Sequence, residues 1–407
     1  MKKKLLLFFY FIASQASIAQ LPQKKVLFVG NSMTFFNEMP TIFQNIAINK
    51  GKNVVAQMYA PGGVGFGSHV NDANVYNLFK NNVWDVVILQ PGTSESGGVG
   101  NTVSTTTARG NRLKDSIKKY SPCAKIMLYE ISNGIAAANL YNQYFLTQKQ
   151  IKDSITKMAD GMQIGFVPAG ESARKHYTTT QDLLLHNSFG DVHPNINGSY
   201  LVAASMFAAI FQESVSGTTF YSGVAPATAQ YLQSIADDVV LNNKPLWRIN
   251  TYHLNANFSF LENLGTINFT NQSSNFDSLL WNFGDGTTTT ATNPSKTFTT
   301  NGEKTITLTA IKNLCAESFS KTILINSLST INLGSEQPYI YPNPAADLLN
   351  ISRNKDFCFQ IINNLGQIVY SEKLLKKEHQ IDISNLSAGI YILIFDDYST
   401  SKFIKTK

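Results

Sequence analysis

The stretch Lys25–Phe35, KVLFVGNSMTF, runs four apolar residues, Val26–Val29, straight into a glycine and a serine. An apolar run without alternation is the mark of a strand covered on both faces, as in a parallel sheet. Gly30 permits a sharp turn, and Ser32 follows where the chain leaves the sheet. Met39, Ile42, Phe43 and Ile46 then recur at helical spacing, with Gly51 just past the helix end. A serine at the carboxyl end of an early parallel strand lies where open α/β sheets bind ligands. Three small polar residues also make ordinary turns, so the meaning of Ser32 depends on what the rest of the chain supplies.

The same pattern repeats. Between Gln20 and Asn250, apolar runs at Val54–Tyr59, Val86–Leu89, Ile126–Tyr129 and Ile164–Val167 alternate with helical stretches such as Ala108–Lys119 and Tyr144–Met158. This alternation predicts an α/β domain with a largely parallel sheet and helices on both faces. Helices over Gly198–Phe211 and Pro226–Asn242 would close it. After Asn250 helical periodicity stops and Thr, Ser and Asn become frequent. Lys304–Ile311 alternates strictly, with Ile306, Leu308 and Ala310 on one face and Thr305, Thr307 and Thr309 on the other, a half-buried antiparallel strand. Short strands between about Leu254 and Ile325 predict a small β-sandwich. A third all-β unit runs to Lys407, with strands near Cys358–Ile362, Ile368–Ser371 and Ile390–Phe395. The polar stretches near Asn250 and Asn326–Pro338 read as linkers crossed by few contacts.

A chain of 407 residues needs two or three domains, and 43% hydrophobic with 15% charged residues is a globular composition. The net charge of +6 comes with no Arg/Lys run interleaved with aromatics, which argues against nucleic-acid binding. Lys2–Lys4, the apolar Leu5–Ile12 and the small-x-small Ser17-Ile18-Ala19 read as a signal peptide over residues 1–19. No later apolar stretch is long enough to span a membrane. Cys123, Cys315 and Cys358 are too few and too scattered for a disulfide framework, and each is expected as a single buried or semi-buried residue.

A serine nucleophile needs a base to take its proton and a group to orient that base. Of six histidines, His193 stands out, because Gly190-Asp191-Val192-His193-Pro194-Asn195 lies on a loop just ahead of a helix. Asp191, two residues earlier, can orient the imidazole; alternatively it only caps the turn. His69, His176, His186, His253 and His379 lack such a setting and read as structural or solvated. Acyl transfer also needs donors aimed at a developing oxyanion. Pro61–Gly67 follows the second strand with four glycines, and Gln90–Ser96 follows the third, where Gln90 offers a side-chain amide. All three loops should emerge on one carboxyl edge of the sheet, and this joint placement raises the case for a site.

Over Lys24–Phe211 these ordered blocks resemble the SGNH (GDSL-like) hydrolases. The resemblance implies a flavodoxin-like three-layer fold and ester hydrolysis by Ser32, with His193 as base and Asp191 as its partner. It further implies an oxyanion hole from Ser32 N–H, Gly63 N–H and Gln90, with Ser94 as the alternative to Gln90. The sequence departs from the family in two places. The acid stands two residues before the histidine rather than three, where Gly190 is found, and Leu89–Glu95 replaces the usual Gly-x-Asn-Asp block.

Trp281–Gly286 with Asn293-Pro294-Ser295 resembles a PKD domain, an immunoglobulin-like β-sandwich expected over residues 251–327. In it Trp281 should pack between the sheets and Asp285 should form a turn rather than bind calcium. Tyr341-Pro342-Asn343-Pro344, Asn364–Gln367, Leu386–Tyr391 and the basic end Lys402–Lys407 resemble the C-terminal sorting domain read by the type IX secretion system, expected over 338–407. Together they imply a secreted or cell-surface serine esterase, over an α/β domain of residues 20–250, that deacylates a small molecule or a polysaccharide. No metal or cofactor is expected. The rival reading is a non-catalytic adhesin or glycan-binding protein on the same scaffold; retention of both Ser32 and His193 favours the enzyme.

Overall fold

The structure, a computed structural model, describes residues 22–263, 266–325, 338–353, 356–375, 377–396 and 399–407. The expected signal peptide and the stretch 326–337 lie outside them.

Five strands, β1 (Lys24–Val29), β2 (Val54–Tyr59), β3 (Val86–Leu89), β4 (Lys125–Tyr129) and β5 (Gly165–Val167), form one sheet in the order β2-β1-β3-β4-β5. Every neighbouring pair is parallel. Strands enclosed on both faces carry no polar alternation, which is why Val26–Val29 and Val86–Leu89 read as plain apolar runs; none of the eight is more than 2% exposed. Between the strands run α1 (Ser32–Phe35), α2 (Met39–Asn49), α3 (Phe66–His69), α4 (Ala73–Lys80), α5 (Thr93–Ser96), α6 (Val103–Tyr120) and α7 (Tyr141–Met162), and after β5 come α8 (Ala169–Thr179), α9 (Ile196–Phe211) and α10 (Pro226–Leu241). α9 packs against α2, α8 and α10, while α6 packs against α3, α4 and α7, so two groups of helices cover the sheet. This is the flavodoxin-like three-layer order. In it the connection reverses direction between β1 and β3, and ligands bind in the crevice outside the carboxyl ends at that point. Ser32 follows β1 there, and Gln90 follows β3.

The expectation that few contacts cross near Asn250 does not hold. Trp247 and Ile249 are buried in the α/β core, and Arg248 forks Asp160 at 2.6 and 2.9 Å. His253 Nε2 donates to the Ile126 carbonyl at 2.7 Å. Asn275 Nδ2 reaches the carbonyls of Asn250, Thr251 and His253. Cys123 and Cys315 are joined by a disulfide across 192 residues, correcting the expectation of single cysteines. The pairing has no local signal because the partners stand 192 residues apart in the chain. Loop length between cysteines carries no information on which pair the fold brings together.

The following strands are β6 (Phe258–Asn263), β7 (Thr266–Asn271), β8 (Ser278–Asn282), β9 (Thr288–Thr289), β10 (Ser295–Thr297), β11 (Gly302–Lys312) and β12 (Cys315–Ile325). They form sheets β10-β7-β6 and β12-β11-β8-β9. Trp281, fully buried, packs its ring against Phe258 and Phe269. Asp285 Oδ1 accepts from the Thr287 N–H at 2.9 Å, so this aspartate shapes the turn. The last unit has its own core, including Leu349, Ile351, Phe359, Leu393 and Phe403. It is built from β13 (Tyr339–Tyr341), β14 (Leu348–Ser352), β15 (Phe357–Ile362), β16 (Ile368–Leu375), β17 (Glu378–Asp382), β18 (Gly389–Phe395) and β19 (Thr400–Lys405). Its sheets run β13-β14-β17 and β16-β15-β18-β19.

Candidate active site

The turn after β1 is crowded at its first position by the side chains of Thr34 and Gln90. A Cβ on Gly30 would lie 2.3 Å from Thr34 Oγ1 and 2.6 Å from Gln90 Oε1. Asn31 then caps α1: its Oδ1 accepts from the Met33 N–H at 3.0 Å, while Nδ2 donates to the Val64 carbonyl at 2.7 Å. One side chain therefore both starts the serine's helix and ties the glycine loop to it. Ser32 is the first residue of α1 and is partly open to solvent.

His193 arrives from the loop ahead of α9. Its Nε2 lies 2.9 Å from Ser32 Oγ and its Nδ1 3.0 Å from Asp191 Oδ1. The same Oδ1 accepts from the His193 backbone N–H at 2.9 Å. That is an Asx turn, in which an aspartate bonds the backbone two residues on. It explains how an acid at the second position before the histidine reaches the ring. The His193 backbone N–H bond, followed by the ring bond, holds the Asp191 carboxyl below its ordinary pKa. An ionised carboxylate only accepts, so the proton sits on Nδ1 and Nε2 is left to accept from the Ser32 hydroxyl.

The loop is braced from several sides. Pro194 bridges His186, and Asn195 Nδ2 donates to the Leu184 and His186 carbonyls at 3.0 and 3.1 Å. Asn195 Oδ1 caps α9 through the Gly198 N–H. A Cβ on Gly134 would meet the Asp191 carbonyl oxygen at 2.2 Å, so the two loops touch backbone to backbone.

The second and third loops are joined by Glu95, which the sequence did not single out. Its buried carboxylate accepts from the N–H groups of Phe66 (2.7 Å), Gly67 (3.0 Å) and Gly92 (2.9 Å) and from Arg109 Nη1 (3.1 Å). Gly63 takes φ +73° in open space, so its backbone conformation and not crowding favours glycine. Gln90 is used differently from the expectation. Its Oε1 accepts from the Asn31 N–H at 2.9 Å and from Thr34 Oγ1 at 3.0 Å, and Nε2 donates to the Pro91 carbonyl at 2.5 Å. With 0% exposure, the amide has no surface left for a substrate oxygen. Buried polar groups bond to what surrounds them, and here the neighbours are the serine turn itself. Ser94 is exposed on α5.

The remaining histidines of the α/β domain are structural. His69 Nε2 donates to the Gly30 carbonyl at 3.0 Å, and burial lowers its pKa. His176 bonds Asp182 and Tyr231. His186 Nδ1 accepts from Tyr177 at 2.6 Å. Among the described residues no helix is long and apolar enough to cross a membrane.

Residues 339–406 match the model of the secretion system C-terminal sorting domain, and residues 263–323 that of the PKD domain. The sorting domain implies a secreted or outer-surface location and an interaction with the secretion machinery that reads it. Over its amino-terminal part the chain is similar in fold to several solved structures. One is a DUF4886 family protein from Bacteroides uniformis, at 18% identity and TM-score 0.48, covering 54% of this chain and 95% of that one. Another is a Parabacteroides merdae protein named as a GDSL-like lipase, at 16% and 0.38, covering 47% and 96%. A third is the acetyl xylan esterase AlAXEase, at 20% and 0.37, covering 46% and 99%. No curated protein matches the chain.

Proposed function

We propose that this chain is an exported serine esterase whose nucleophile is Ser32. The observation that carries the reading is the aligned set Ser32 Oγ–His193 Nε2 at 2.9 Å and His193 Nδ1–Asp191 Oδ1 at 3.0 Å. A scaffold kept only for binding has no physical need for that alignment.

In the reaction, Ser32 Oγ attacks the ester carbonyl as its proton passes to His193 Nε2. The negative charge moves to the carbonyl oxygen, which the N–H groups of Ser32 and Gly63 would hold; Gln90 contributes by fixing the Asn31 N–H and Thr34 rather than by donating to the oxyanion. The tetrahedral adduct collapses, the leaving alcohol takes the proton from Nε2, and an acyl group remains on Ser32. Water then attacks that acyl-enzyme, giving its proton to His193, and the acid is released as Ser32 recovers its hydrogen. Asp191, kept ionised, holds the ring and stabilises the imidazolium in both halves.

The substrate class follows from access. Ser32 is partly exposed, and the side chains of His193 and Asp191 are 29% and 30% exposed, so the site meets solvent directly. An open site suits an acyl group carried on a polymer, and O-acylated polysaccharide is the proposed substrate. Purified protein should release acid from short-chain nitrophenyl esters and from acetylated polysaccharide. Ser32→Ala should abolish both; turnover unchanged in that variant would end the proposal.

A further inference from the structure

The imidazole of His193 is held from its face as well as from its edge. Ser32 opens α1, and Phe36 follows its last residue, one turn further on. The Phe36 ring stacks on His193 with centroids 4.1 Å apart and planes 13° from parallel. The Phe35 ring stacks on Phe36 with centroids 5.6 Å apart and planes 20° from parallel. One turn of backbone therefore carries both the hydroxyl that bonds the imidazole and the ring that covers it.

The chain adopts an uncommon path to achieve this. Asn37 and Glu38, the next two residues, both stand in the left-handed region at φ +51° and +52°. Side chains other than glycine rarely adopt that region, and two in succession need outside support. The support comes from the His193 loop. Asn37 Nδ2 donates to the Pro194 carbonyl at 3.0 Å and to Ser199 Oγ at 2.9 Å, and Ser199 Oγ donates to the Phe36 carbonyl at 3.3 Å. Pro194 directly follows His193, so the reversed backbone is anchored to the loop whose ring it covers.

We infer that Phe36 is a positioning residue for His193, fixing the plane of the imidazole, with Asn37 fixing Phe36 against the loop. The Asp191 contact alone leaves that plane loosely set. A single oxygen, Oδ1, serves both the His193 backbone N–H at 2.9 Å and the ring Nδ1 at 3.0 Å, and a ring held at one edge can still tilt. Stacking from the face removes the tilt and keeps Nε2 in line with Ser32 Oγ. The inference rests on reading Ser32 and His193 as nucleophile and base.

The test uses the intact chain carrying Phe36→Leu, Phe36→Tyr, Asp191→Asn, and Phe36→Leu with Asp191→Asn. Leucine keeps an apolar side chain but cannot stack, so a loss of about 10- to 100-fold in kcat with KM within about twofold is expected. Tyrosine should retain wild-type kcat. Because the two groups restrain one ring, the double variant should lose more than the product of the single losses. Wild-type kcat in Phe36→Leu, or single losses that simply multiply, would overturn the inference. A second readout does not need turnover. In NMR spectra the His193 ring protons should be shifted upfield by the Phe36 ring, and Phe36→Leu should abolish that shift. No such shift in the wild type overturns the inference. A shift present in a protein that hydrolyses no ester supports the stack and refutes the esterase reading alone.

Discussion

Replacing Glu95 by glutamine changes one atom in the group that joins the loops after β2 and β3. In the wild type, Oε2 accepts from the N–H groups of Phe66 and Gly92, while Oε1 accepts from Gly67 N–H and Arg109. An amide keeps only one acceptor oxygen. It should turn that oxygen toward the buried Phe66 and Gly92 pair, placing its NH2 against Gly67 and Arg109. Arg109 is 29% exposed and can turn to water, so its share is small. The larger loss is the Gly67 bond, left as a donor facing a donor, together with the charge on the two bonds that remain. Bonds to charged groups contribute ~1.5–3 kcal/mol each, so losing one and weakening two amounts to about 3 kcal/mol. That corresponds to roughly a hundredfold change in a local opening equilibrium. Native-state hydrogen exchange should show the Phe66, Gly67 and Gly92 amides of Glu95→Gln exchanging faster by about that factor. With Gly63 on the loosened loop, kcat should fall toward the ~10²-fold loss seen when one oxyanion donor is removed. Unchanged exchange at these three amides would refute the clamp; faster exchange with unchanged kcat would separate Gly63 from the oxyanion.

Two other predictions concern stability. Burial lowers the pKa of His186, beneath the His193 loop, to about 4 from an ordinary 6.5. Between those values the unfolded chain takes up a proton that the folded one refuses, so stability is full above about pH 6.5 and falls by about 3 kcal/mol on the way to pH 4. His186→Asn should be less stable than wild type at pH 7.5, with the gap in Tm closing by pH 4.5; a constant gap would contradict the assignment. Cys123 lies just ahead of β4, at the sheet edge opposite the site, and its disulfide closes 192 residues of chain. Cys123→Ser should lower Tm, the chain-entropy limit for that loop being about 5 kcal/mol, with kcat unchanged. A fall in kcat in the folded variant would show that the staple reaches the site.

What the sequence revealed follows what is encoded locally. Val26–Val29 falls within β1 and Val86–Leu89 coincides with β3 because strands buried on both faces leave an uninterrupted apolar signature. The helix α6 runs beyond its apolar spacing, Val103–Tyr120 against Ala108–Lys119, because the Thr102 cap and not that spacing sets its start. Ser32 and His193 were legible as small-residue and proline-flanked turns at the ends of recognisable elements. The roles that stayed hidden depend on contacts between distant segments. Gln90 looked like a donor for substrate, but residues 56–59 positions away surround its amide. Glu95 showed no role, because its partners Phe66 and Gly67 stand 29 and 28 positions away. Asp191 seemed misplaced by one position because a family spacing says nothing of an Asx turn. Phe36 and Asn37 carry no motif at all, since φ is not written in residue identity for an asparagine.

The central claim is that Ser32 is an activated nucleophile with His193 as its base. A fluorophosphonate reacts readily with such a serine and poorly with an ordinary surface hydroxyl. Intact protein exposed to the reagent, digested and analysed by mass spectrometry, should carry the phosphonyl group on the peptide containing Ser32, and His193→Ala should remove that adduct. Folded wild-type protein that leaves Ser32 unlabelled, or labelling of Ser32 that persists undiminished in His193→Ala, would contradict the account.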